Sequence, residues 1–112
     1  MRRPDDALGV VEVVGMTAAI AILDRMVKAS PVTVSGPAFA GDGLVAWFVH
    51  GSVAAVQEAV AVALDRPVGM AAEPSTVVIG RPDETVLEIF GIVPVSPSQE
   101  ALNGEEGESS VE

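Results

Sequence analysis

The chain repeats itself at an offset of 36 positions, and that constrains its fold more than any other feature. Val13-Val14-Gly15-Met16-Thr17-Ala18-Ala19-Ile20 aligns with Val49-His50-Gly51-Ser52-Val53-Ala54-Ala55-Val56, and Pro31-Val32 aligns with Pro67-Val68. Each copy spells a strand, a glycine turn, a helix with paired alanines and a proline stop. The order β-α-β, β-α-β that results is that of a ferredoxin-like unit, an α/β (α+β) fold with a mostly antiparallel sheet and its helices on one face. The small alanine pairs imply close packing of helix on sheet.

The local signals agree with that order. Leu8 to Val14 is rich in β-branched residues and stops at Gly15, as a strand does. From Thr17 to Ser30 apolar pairs recur every four positions (Ala18 and Ala19, Ile22 and Leu23, Met26 and Val27), which predicts an amphipathic helix closed by Pro31. Asp24 and Lys28 stand at i,i+4 on its polar side, the acid nearer the N-terminus. Val32 to Ser35 alternates as a strand. Ser52 is placed to cap a second helix whose stripe is Val53, Val56, Val60 and Leu64. Thr76 to Ile79 is a last strand, and Asp83-Glu84 opens a short C-terminal helix carrying Val86, Leu87 and Phe90.

Between the two units lies Gly36-Pro37-Ala38-Phe39-Ala40-Gly41-Asp42-Gly43-Leu44-Val45-Ala46-Trp47-Phe48-Val49. Asp-Gly between apolar runs supplies the positive φ angles of a tight hairpin, with the turn at Ala40 to Gly43. Asp42 is the only charged side chain of the stretch. Turn chemistry alone accounts for an Asp there. A symmetric assembly that gathered several copies of the turn would instead make it a ring of carboxylates.

Composition favours such an assembly. The 112 residues suffice for one domain, 49% are hydrophobic but only 4% aromatic, and the mean hydropathy is +0.45. A membrane span needs roughly 20 consecutive apolar residues; Glu12, Asp24, Arg25, Lys28 and Glu58 interrupt every run. The apolar excess is better explained by burial between copies of the chain, and no membrane partner is expected. The net charge of −10 argues against a nucleic-acid partner. Half of it comes from Glu100, Glu105, Glu106, Glu108 and Glu112. Residues 96–112 therefore read as an acidic disordered tail, residues 1–6 as a flexible lead without the pattern of a signal peptide, and residues 7–95 as the domain.

Catalytic signals are absent from the sequence. It holds no Cys, no Tyr and one His, and Gly41-Asp42-Gly43 lies in a hairpin where a phosphate loop would open a helix. No catalytic residue, metal or cofactor is expected, and His50 reads as an ordinary surface or interface residue. Among non-enzymatic functions, an oligomeric ferredoxin-like module that binds small regulatory ligands between subunits competes with a purely structural assembly.

In order and spacing, the chain from about Ala7 to Phe90 resembles the bacterial microcompartment shell-protein domain, in its single-domain, hexamer-forming class. The resemblance is carried by Ala7-Leu8-Gly9-Val10-Val11-Glu12-Val13, Met26-Val27-Lys28-Ala29, Gly41-Asp42-Gly43-Leu44-Val45, Gly51-Ser52-Val53-Ala54-Ala55-Val56 and Ile79-Gly80-Arg81-Pro82. It implies a non-enzymatic subunit whose hexamers tile into the facets of a cytoplasmic compartment, with other shell proteins and encapsulated enzymes as partners. By the same resemblance Ala40, Gly41, Asp42 and Gly43 line the central pore. Lys28, Pro31 and Arg81 lie at the edge between hexamers, where Lys28 meets its symmetry mate across a two-fold and reaches backbone carbonyls. Two residues depart from the family pattern. Pro31 replaces a hydrogen-bonding Asn common in relatives, which weakens the edge, and Asp42 replaces a small neutral residue such as Ser, which favours cations over anions in transit. Carboxysome tiles tend to carry basic groups near the pore, so an acidic turn points to a catabolic compartment that handles an aldehyde and admits a neutral or cationic precursor such as an amino alcohol.

Overall fold

A computed structural model describes residues 7–65 and 73–90. The elements follow the expected order: β1 (Ala7–Val14), α1 (Met16–Ala29), β2 (Thr33–Phe39), β3 (Leu44–Gly51), α2 (Val53–Leu64), β4 (Ser75–Ile79) and α3 (Glu84–Ile89). The sheet has the strand order β2-β3-β1-β4, and each neighbouring pair is antiparallel. This is the α+β arrangement that the repeat implied. The four strands, α1 and α2 belong to one compact unit, residues 4–82; α3 belongs to a second. In α3 itself, the Asp83 carboxylate accepts a hydrogen bond from the Thr85 N–H at 2.8 Å, the N-cap expected from Asp83-Glu84. The lead (1–6) and the acidic tail (96–112) lie outside the described residues, as do 66–72 and 91–95 of the domain.

Alternation along the strands fixes which side of the sheet is covered. Val11, Val13, Val45, Trp47 and Val49 project to one face and join Ala19, Ile22 and Met26 of α1 and Val56, Ala59, Val60 and Ala63 of α2 in the core. Both helices therefore lie on that face. Glu12 projects to the other side, between buried Val11 and Val13, and is only partly covered. Trp47, the single tryptophan, is 5% exposed, and its indole N–H donates to the Ala19 carbonyl at 2.9 Å, pinning α1 to the central strand.

The helices dock closely because their contact residues are small. Gly9 of β1 is buried beneath α2, and a Cβ there would stand 2.8 Å from Val56 Cγ1 and 3.2 Å from Val60 Cγ2. Both neighbours are short and stiff at χ1, so they cannot swing aside. Gly9→Ala is expected to force α2 off the sheet and cost about 1–3 kcal/mol of stability, read as a lowered denaturation midpoint. At its far end α1 is tied to α2 twice. The Ser30 hydroxyl donates to the Ala55 carbonyl at 2.6 Å, and the Arg25 guanidinium donates to the Asp65 carbonyl at 2.7 Å, beyond the last turn of α2.

The apolar pattern of α1 needs adjustment. Of the apolar positions on α1, only Ala19, Ile22 and Met26 are fully buried; Val27 is 46% exposed, and with Met16 and Ile20 it forms a second stripe beside the buried one. Phe39 does not join the core, being 68% exposed at the end of β2.

Candidate functional site

The hairpin between β2 and β3 turns over Ala40 to Gly43 as expected. The Ala40 N–H donates to the Leu44 carbonyl (3.1 Å) and the Leu44 N–H to the Gly41 carbonyl (2.9 Å). Gly41, Asp42 and Gly43 have φ of 88°, 55° and 78°, three successive left-handed residues. Asp is among the few side chains that tolerate that region, and no heavy atom stands within 4 Å of where a Cβ on either glycine would project. All four turn residues are exposed. The tip is nevertheless braced, because the Gly15 N–H at the β1–α1 turn donates to the Gly43 carbonyl at 2.8 Å. That brace was not foreseen; Gly15 as a strand stop was its only trace in the sequence.

Lys28, Pro31 and Arg81 are exposed too, but at the other end of the sheet. The register fixes this. Thr33, His50, Leu8 and Ile79 form one row across all four strands, while Val14 pairs with Leu44, and Val45 with Phe39, at the hairpin end. Pro31 stands two residues before that row and Arg81 two residues after it. They border the same turn: the Cβ position of Gly51 is 3.7 Å from the Pro31 carbonyl, and that of Gly80 is 3.7 Å from Val53. α1 returns from the hairpin end to this one, bringing Lys28 into its last turn. With eight residues in β1 and about 3.4 Å per residue, the two ends are roughly 25 Å apart.

Charge at the second end is already partly matched. Lys28 Nζ lies 2.9 Å from Asp24 Oδ2, the i,i+4 pair read from the sequence. Arg81 has no ion pair among the described residues. Ser35 Oγ and His50 Nε2 are hydrogen-bonded at 3.1 Å across β2 and β3. No group of three His, Cys, Asp or Glu among the described residues could hold a metal ion, and no described helix is long and apolar enough to cross a membrane.

An antiparallel ferredoxin-like sheet with two helices on one face, a braced acidic hairpin at one end and exposed cations at the other defines an α+β domain with two separate polar termini. The BMC domain family model matches residues 7–82, and the chain belongs to that family. It is 48% identical over 54 residues to the bacterial microcompartment shell protein PduA of Citrobacter freundii, a match covering 48% of this chain and 58% of that protein. It is 35% identical over 103 residues to the carboxysome shell protein CcmK1 of Thermosynechococcus vestitus, covering 88% of this chain and 91% of that one. A microcompartment protein from Desulfitobacterium hafniense shares the fold with a TM-score of 0.64 at 22% identity, over 82% of this chain and 51% of that chain. The chain thus spans little more than half the length of PduA and nearly all of CcmK1.

Proposed function

We propose that this chain is a structural shell protein whose six copies close into a ring around the hairpin tip, and whose rings join edge to edge to form the facets of a bacterial microcompartment in the cytoplasm. Ala40, Gly41, Asp42 and Gly43 line the central pore, which passes small neutral or cationic metabolites. Lys28 and Arg81 supply the lateral contacts, and Pro31 leaves one hydrogen bond of the edge unmade. Other shell proteins and the enclosed enzymes are its partners, and it performs no catalysis itself.

The observation that carries this reading is the separation of the two residue sets to opposite ends of one rigid sheet, roughly 25 Å apart by the strand rise. A subunit of a perforated tile needs that division, with one end at the axis and the other at the rim. The surface between them supports it. Met16, Ile20 and Val27 on α1 and Phe39 beside the hairpin expose apolar area that a neighbouring copy would cover.

Native mass and electron microscopy of the full chain test the reading together. Hexamers that grow into sheets or tubes are expected, and Lys28→Ala is expected to abolish lateral growth while leaving hexamers intact. A compact oligomer that never extends laterally and gains stability from a small ligand would replace the shell role with that of a ligand-binding regulatory module.

A further inference from the structure

We infer that Asp24 restrains the joining of tiles by holding Lys28 in an ion pair that must open before Lys28 can reach a neighbouring copy. The inference rests on the proposed edge role of Lys28 and adds a regulator to it. Lys28 and Asp24 are 75% and 57% exposed, so the pair is open to solvent and to exchange. Asp24 stands one helical turn back toward the hairpin end. The 2.9 Å contact therefore folds the ammonium along α1, away from the row at Thr33 and Ile79 where Pro31 and Arg81 lie. The other basic groups nearby are differently disposed. Arg25 is engaged with the Asp65 carbonyl at 2.7 Å, and Arg81 has no acidic partner among the described residues. Of the two cations proposed for the edge, only Lys28 has a competing anion among the described residues.

The ammonium has three N–H donors, so the conflict is one of direction and not of bond number. Held 2.9 Å from Asp24, one turn back along α1, it must swing away from the carboxylate to reach a carbonyl beyond the Pro31 and Arg81 end, and the strength of the pair is subtracted from the contact. An exposed i,i+4 pair in this orientation amounts to about a twofold factor. A two-fold edge uses two such lysines, so releasing both should strengthen each edge about fourfold. Added salt weakens the pair in the unmutated protein, so the difference should shrink as ionic strength rises.

The test compares the protein with Asp24→Asn and Asp24→Glu, reading the lowest concentration at which sheets form by light scattering and electron microscopy. Asp24→Asn is expected to form sheets at a lower concentration at low salt, by about fourfold where a single edge limits growth and by some tens of fold where all six lysines of a hexamer are engaged, with hexamer mass unchanged and the unfolding midpoint nearly so. Asp24→Glu, which can still pair with Lys28, should stay close to the unmutated protein. A threshold that does not move, or that rises because Asp24 screens the two lysines from each other, overturns the inference. Lys28→Ala measured alongside separates the two ideas: sheets that persist in it overturn the edge role itself, whereas sheets lost in it with no gain in Asp24→Asn overturn only the restraint.

Discussion

Trp47→Ala should lower the stability of the folded chain by about 3–5 kcal/mol, the usual range for truncating a buried aromatic ring. The indole is 5% exposed, and it sits on β3, a central strand, facing both helices. The chain has few means of compensating. Its core is otherwise built from Ala, Val, Ile, Leu and Met, whose short side chains cannot stretch into the volume of a lost bicyclic ring. The indole N–H is also the bond by which β3 holds the Ala19 carbonyl of α1. Trp47→Phe separates the two contributions, since it keeps most of the ring volume and removes the donor; it should cost less than half as much. Denaturant unfolding at one fixed protein concentration measures both, because assembly would otherwise raise the apparent stability. A loss under about 1 kcal/mol for Trp47→Ala would mean that α1 is held by its ties to α2 instead.

Much of this architecture was legible because the chain states it twice. The repeat at Gly15 and Gly51 gives two strand-turn-helix units, and antiparallel ferredoxin-like pairing brings β1 against β3. The hairpin was equally plain, since Asp-Gly in an apolar stretch has few other uses. Periodicity could not distinguish burial within the chain from burial between chains. Val27 belongs to the same four-residue pattern as Ile22 and Met26, yet it is exposed, as is Ile20. Phe39 and Trp47 are both aromatic residues on adjoining strands. They separate only because Trp47 sits mid-strand beneath α1 and Phe39 at the open hairpin end. The Ser30 bond to the Ala55 carbonyl was hidden because a Ser before Pro reads as a helix stop, whatever its hydroxyl reaches across 25 residues. The candidate site was legible residue by residue, through resemblance. Its layout was not, because the placing of Pro31 and Gly80 on either side of one turn follows from the strand order.

In the proposed hexamer, that layout makes the largest change in transport an electrostatic one. If six hairpin tips line a pore as proposed, Asp42→Asn is expected to abolish most of its preference for cations over anions. In a ring of six, with neighbours about 8 Å apart, each carboxylate also lies about 8 Å from the axis, and all six attract a cation there and repel an anion. Even after screening over a Debye length of about 8 Å, the summed effect is a discrimination on the order of 30-fold. Asn removes the charge but accepts the left-handed φ of 55° that the turn imposes, so the hairpin and its brace to Gly15 should survive. Asp42→Ser puts a small neutral side chain there and should behave alike, with some loss of turn stability because Ser tolerates that conformation less well. Ion permeability across assembled protein and bound-cation measurements both read the effect. An unchanged cation-to-anion ratio in an intact Asp42→Asn hexamer would place the carboxylates away from the path that ions take. Discrimination that vanishes in Asp42→Asn and is restored by Asp42→Glu would show that a negative charge at the tip of this hairpin sets which metabolites pass.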